Sequence, residues 1–220
     1  MTGTINKRRS MLLITCLLLL VTGCALDAYR MHPEFDIRAG SIKTPVLISP
    51  DVYMYELSSD GMVMLRDDWS RAGRKNLQNA ILRYFKDKQY SVKLSEMDSQ
   101  TTEQMEEVQA LYRLVHKAMD QYAFGHHQNW SNNHRFDFSI GSLEPILQKL
   151  DADGMIFVTG YDQIFKSGHK ALIDVAVADS SGNILYYSVK GTTRGKDLRD
   201  PVSTASLIHD LLSSYPRMEG

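Results

Sequence analysis

Met155-Ile156-Phe157-Val158-Thr159-Gly160 is an almost unbroken apolar run. Ala171-Leu172-Ile173-Asp174-Val175-Ala176-Val177-Ala178 follows it, and beyond the turn Asp179-Ser180-Ser181-Gly182-Asn183 comes Ile184-Leu185-Tyr186-Tyr187-Ser188-Val189. A run without polar alternation leaves no face for water, so 155–160 predicts a central strand covered on both sides. The next two runs, joined by a Gly- and Asn-containing turn, predict a hairpin. Helices must therefore cover the sheet, and the rest of the chain has to supply them.

Downstream, Pro201 suits the first turn of a helix, where no N–H is needed, and Asp200 suits its N-cap. Ala205, Ile208, Leu211 and Leu212 form its buried stripe, and Pro216 ends it. Upstream, residues 143–150 predict a short helix ended by Asp151-Ala152-Asp153-Gly154. Met105, Val108, Leu111, Val115, Met119 and Tyr122 give a helical stripe over 101–122, read as core packing, with a methionine-lined groove as the alternative. Leu77, Ile81, Tyr84 and Phe85 do the same for a helix over 68–88, with Asp67-Asp68 at its start. Short strands are expected at 44–50, 52–57 and 90–94, with a turn at Ser58-Ser59-Asp60-Gly61.

The fold class expected is α/β, an α+β sandwich: a mixed sheet of about five strands packed by three to four helices, in a single domain over 44–216. Residues 26–41 are mixed and polar, so 24–43 reads as a tether, although Phe35 and Ile37 suit packing along the domain edge.

The amino end is a different kind of sequence. Lys7, Arg8 and Arg9 precede an apolar stretch, Met11 to Val21, which is shorter than the roughly 20 residues a spanning helix requires. Positive, apolar and then small residues make a signal peptide over 1–23. The small Thr22 and Gly23 fit an extended peptidase groove, and Cys24 offers the thiol that takes up lipid.

Val21-Thr22-Gly23-Cys24 resembles the lipobox of bacterial lipoproteins, with Val21 where that family usually has Leu. The resemblance implies that Cys24 becomes the first residue and carries covalent diacylglycerol and N-acyl lipid, palmitate among them. Ala25 stands where Asp would imply inner-membrane retention, so in a diderm host it implies the inner leaflet of the outer membrane, facing the periplasm.

Removing residues 1–23 takes three basic residues and no acidic one, turning the formal net charge from −1 to −4. Such a domain has no electrostatic case for nucleic acid. Cys16 leaves with the signal and Cys24 goes to lipid, so no thiol remains for a disulfide or a thiolate metal site.

The order of elements is similar to the fold of the TolB amino-terminal domain and of lipoproteins of the curli-secretion channel type. Pro50-Asp51-Val52-Tyr53-Met54-Tyr55-Glu56-Leu57 with Asp68-Trp69, then Phe136-Asp137-Phe138-Ser139-Ile140-Gly141, then Gly195-Lys196-Asp197-Leu198-Arg199, resemble a family of uncharacterised bacterial lipoproteins. The blocks keep that family's order over most of the mature chain, but Asn132-Asn133-His134-Arg135 departs from its Leu-Pro approach to the Phe-Asp block. The resemblance implies no enzymatic activity.

Candidate chemistry is sparse. His126, His127 and His134 lie within nine residues and offer imidazole to a transition metal, with Asp137 as a further ligand. Ser139, His169 and Asp174 supply the residue types of a hydrolase without a Gly-x-Ser-x-Gly context. No Gly-rich loop of phosphate-binding spacing occurs. Asp197, Arg199 and Asp200 suit an ion cluster with Arg194 or a capped turn. Tyr53, Tyr55 and Trp69 are the candidates for anchoring a protein partner. The function expected is a non-enzymatic envelope lipoprotein without cofactor that binds an envelope protein or a second copy of itself. A metal- or ligand-binding lipoprotein and a hydrolase with a dispersed site are the alternatives.

Overall fold

The strand Gly154–Phe165 is the spine of the molecule, and its two edges set the place of everything else. The computed structural model describes residues 27–95, 99–124, 135–166, 168–192 and 196–216. In chain order these form β1 (Asp27–Met31), α1 (Phe35–Arg38), a 3-10 turn (Ala39–Ser41), β2 (Pro45–Leu47), β3 (Asp51–Leu57), β4 (Val63–Leu65), α2 (Asp67–Asp87), β5 (Lys93–Leu94), α3 (Ser99–Phe124), α4 (Glu144–Lys149), β6 (Gly154–Phe165), β7 (Gly168–Asp179), β8 (Ile184–Thr192) and α5 (Pro201–Leu211).

One edge of β6 pairs antiparallel with β7, which continues to β8 and then to β1. The other edge is shared: β2 runs parallel to its first residues and β3 to its last. The chain thus lays two strands end to end against one, broken at Ile48-Ser49-Pro50, where Pro50 can give no ladder N–H. Outside them, β5 pairs parallel with β2, and β4 pairs antiparallel with β3. The sheet is mixed, as expected, but among the described residues it has eight strands rather than about five.

The extra strands lie at the margins. Residues 26–41, expected to be a tether, hold β1, α1 and the 3-10 turn. Asp-Ala-Tyr-Arg-Met has too little apolar periodicity to announce a strand; it is one because it pairs from Asp27↔Lys190 to Met31↔Tyr186. Phe35 is buried there, whereas Ile37 is exposed. Val63-Met64-Leu65 is likewise a strand by pairing alone, with all three side chains exposed.

Both faces of the centre are covered. On one, Ile156, Val158, Ile173, Val175 and Val177 pack with Leu77, Ile81 and Phe85 of α2 and with Leu207, Ile208 and Leu211 of α5. Helix and sheet approach closely because glycines face the contact from both sides: a Cβ on Gly160 of β6 would lie 2.9 Å from Leu77 Cδ1 of α2, and one on Gly73 of α2 2.9 Å from Met54 Sδ of β3. Tyr215 closes this core edge-on to Phe85 and Tyr186.

On the other face, Met155, Phe157, Ala176, Ala178 and Tyr187 pack with Met105, Tyr112 and Met119 of α3 and with Ile146 and Leu147 of α4. Five of the six residues expected in the α3 stripe, Met105, Val108, Val115, Met119 and Tyr122, pack on this core; Leu111 is half exposed instead, and Tyr112 is buried. The Asp67-Asp68 pair sits inside the first turn of α2, favourable to the helix dipole, while Arg66 holds the N-cap position. Asp200 does cap α5, accepting from Ser203 N–H at 2.8 Å.

Candidate partner-binding face

Helix α3 crosses its face of the sheet on a line that its contacts define. Gln109 reaches Ser49 O, the Arg113 guanidinium meets the Asp51 carboxylate at 2.7 Å, Tyr112 stacks on Phe157 at 4.1 Å, and Asp120 accepts from the Tyr187 hydroxyl at 2.5 Å. Among the described residues, no helix lies above the strand residues beyond that line. Because side chains alternate, Tyr53 and Tyr55 of β3 point to this face, while Val52 and Met54 enter the α2 side of the core.

In the parallel register Tyr53 lies beside Tyr161 and Tyr55 beside Gln163. The Tyr55 and Tyr161 rings are 5.2 Å apart, and Gln163 Nε2 donates to the Tyr161 hydroxyl at 2.6 Å. Leu65, opposite Tyr55 on β4, is 48% exposed and Tyr53 39%, so the patch is aromatic, hydroxyl-bearing and open. Burial, and the hydrogen bond and charge of the neighbouring Asp51 carboxylate, raise the Tyr53 hydroxyl above its ordinary pKa. Such a surface buries large area at small entropic cost.

Trp69 is placed differently. Arg66 and Arg199 stack on it, their guanidinium carbons 4.2 and 4.4 Å from the ring centre. Arg199 is gripped by Asp197, and Asn76 of α2 donates to the carbonyls of Leu198 and Arg199. Trp69 therefore ties the 196–200 turn to the start of α2.

The hydrolase residues are not brought together. Asp174 faces α3, and His169, of opposite parity on β7, faces the other layer. His169 Nδ1 lies 3.4 Å from Asp162 Oδ1, and its Nε2 accepts from Lys196 N–H, fixing the turn before α5. Ser139 pairs in a bridge with Asn183.

Sequence reasoning missed the polar seat of α3. Tyr112, His116 and Asp120, one helical turn apart on one face, meet Asp174 and Tyr187 of the sheet: His116 Nε2 is 3.1 Å from Asp174 Oδ1, and the Tyr112 hydroxyl donates to the same oxygen at 3.3 Å. Burial raises the Asp174 carboxyl above the usual carboxylate range in spite of His116. Burial pulls His116 down, but its hydrogen bond to Asp174 and the charges of Asp174, Asp120 and Asp51 outweigh that and raise it. The i, i+4, i+8 spacing was the available signal.

Cys24 and the loop histidines His126, His127 and His134 lie outside the described residues, as does Arg194. Asp137, considered as a metal ligand, pairs with His32 at 3.2 Å. Among the described residues no group of three or more His, Cys, Asp or Glu side chains is placed to hold a metal ion. Among them, too, no helix is long and apolar enough to cross a membrane.

No family model matches the chain, and no curated protein does. Among solved structures it is weakly similar to the PelC dodecamer of Paraburkholderia phytofirmans, at 11% identity over 86% of this chain and 96% of that one, with a TM-score of 0.43. A substituted form of that PelC gives 9% identity, 88% and 99% coverage and a TM-score of 0.45. The LpoB C-terminal domain of Salmonella enterica follows at 8% identity, 70% and 85% coverage and a TM-score of 0.31.

Proposed function

We propose that this protein is an envelope lipoprotein, held by lipid on Cys24 in the inner leaflet of the outer membrane, and that it serves envelope assembly or secretion by binding another protein rather than by catalysis. The observation that carries the reading is the sheet face beyond α3, where Tyr53, Tyr55 and Tyr161 stand together and partly exposed on three-strand backing. Aromatic side chains clustered on a rigid surface are what dominates the energy of protein interfaces. The lipobox-like Val21-Thr22-Gly23-Cys24 supplies the address.

The test is chemical crosslinking in whole cells followed by isolation of the lipoprotein and mass spectrometry. Wild-type protein recovers a defined envelope partner, and a Tyr53→Ala, Tyr161→Ala double variant of equal abundance loses it. Recovery of the same partner by both proteins contradicts the assignment of this face, and recovery of no partner contradicts the function.

A further inference from the structure

The pairing register shows where the chain enters the fold. Asp27 lies opposite Lys190, Lys190 opposite Ile173, and Ile173 opposite Gly160. Traced backward from Asp27, β1 runs toward the end of the sheet that holds the β6–β7 turn, beyond Phe165, and the β3–β4 turn, beyond Leu57, since Leu57 is level with Phe165. Phe165 is five residues past Gly160, about 17 Å along the strand. Cys24 is three residues before Asp27, a reach of at most about 11 Å. With the strands upright on the membrane, the anchor is too short to hold the bilayer clear of those turns.

The side chains at that end suit the consequence. Met62, Val63, Met64, Leu65 and Phe165 are exposed there, with Met62 the most open at 58%. Lys166 follows Phe165 and Lys170 lies opposite Gln163, both exposed, whereas the carboxylates at this end are engaged, Asp60 by Ser58 and Glu56 by Arg66. At the opposite end of the sheet, by the β7–β8 turn, the large exposed apolar side chains among the described residues are fewer and scattered: Ile37, and Leu94 on the outer strand β5. Sheet twist, about 20–25° per strand, keeps the β6–β7 turn, two strands from β1, nearest the anchor and carries the β3–β4 turn to its side.

We propose that this end of the sheet lies against the headgroup layer of the membrane that holds Cys24, with Phe165 and Met62 entering the interface and Lys166 and Lys170 at the phosphates. The inference rests on the reading of Cys24 as the lipid-bearing residue. It gives the domain a fixed orientation: the tyrosine face stands at the membrane surface, open sideways to a partner. Apolar side chains in the interfacial layer and lysines at its anionic groups are the ordinary chemistry of peripheral contact.

The test uses full-length, lipid-modified protein with an environment-sensitive fluorophore on Met62→Cys, Phe165→Cys or Ser181→Cys, reconstituted in phosphatidylethanolamine–phosphatidylglycerol vesicles. Melting curves confirm that each variant is folded, and mass spectrometry reports the lipid on Cys24. Labels at 62 and 165 should shift to the blue and be quenched several-fold by a phospholipid spin-labelled at its headgroup, while the label at 181 stays water-like. Unquenched labels at 62 and 165 on vesicle-bound, lipidated protein overturn the orientation alone. A blue shift that ignores the lipid quencher and fades on dilution assigns the surface to a second copy and overturns it too. Absence of lipid on Cys24 overturns the anchoring reading itself.

Discussion

The Tyr55 and Tyr161 rings lie 5.2 Å apart on neighbouring parallel strands, at the point where α3 has already left the sheet. The relationship separates two uses of one sheet face: under α3 it is core, and beyond α3 it is surface. Stability and binding should accordingly respond to different substitutions.

Replacing Tyr53 and Tyr161 by Ala should leave the fold nearly unchanged, within about 0.5 kcal/mol for the more exposed Tyr53, as surface positions usually are. The same change should weaken partner binding by about 2 kcal/mol or more, the scale of an aromatic hot spot, or roughly 30-fold in Kd. Urea unfolding and titration of the isolated partner measure the two quantities.

His116→Ala should do the reverse. It leaves the 3%-exposed Asp174 without its nearest cation and opens space beside Tyr112. Removing one partner of a buried charged pair costs about 3–5 kcal/mol, and less where a hydroxyl such as that of Tyr112 remains. A loss of about 2–4 kcal/mol in urea is expected, with partner binding by the remaining folded protein unchanged.

The same histidine gives the protein a pH dependence. His116 is raised in the folded state above its unfolded value of about 6.5, so its contribution is fully present below that value and is lost as pH rises through the folded pKa. Stability should therefore decline from pH 6 toward pH 8 in the wild type, and His116→Gln should flatten that slope. Unfolding midpoints across this range, at constant ionic strength, provide the check.

Gly160→Val tests the close approach of α2. The Cβ would meet Leu77 and Leu198 inside a packed layer, and overpacking of this kind costs about 1–3 kcal/mol. Trp69→Ala should also destabilise, by about 1–2 kcal/mol, because it removes the platform on which Arg66 and Arg199 stack. Thermal melts would report both.

The centre of this fold was legible because burial on both faces leaves a mark in sequence: 155–160, 171–178 and 184–189 admit no solvent face. The margins were not. β1 and β4 are short edge strands, defined by the backbone they pair with, and neither Asp-Ala-Tyr-Arg-Met nor Val-Met-Leu carries a period of its own. The apolar run of β6 stops at Gly160, yet the strand continues to Phe165 in a period-two pattern, with Tyr161 and Gln163 on the open face and Asp162 on the buried one. Reading that alternation would have found half of the candidate face, of which Tyr53 and Tyr55 were visible from β3. The His116–Asp174 contact joins a helix to a strand 58 residues on, a pairing that helical spacing could suggest only on the helix side.

The most direct test of the central claim is a photo-crosslinking amino acid at position 53, incorporated in living cells and activated by light. The account predicts a discrete adduct with an envelope protein, shared with a probe at 161 and absent with one at Arg83 on the outer side of α2. Adducts formed as readily from position 83 as from 53 and 161, or none from the tyrosine face, would contradict it.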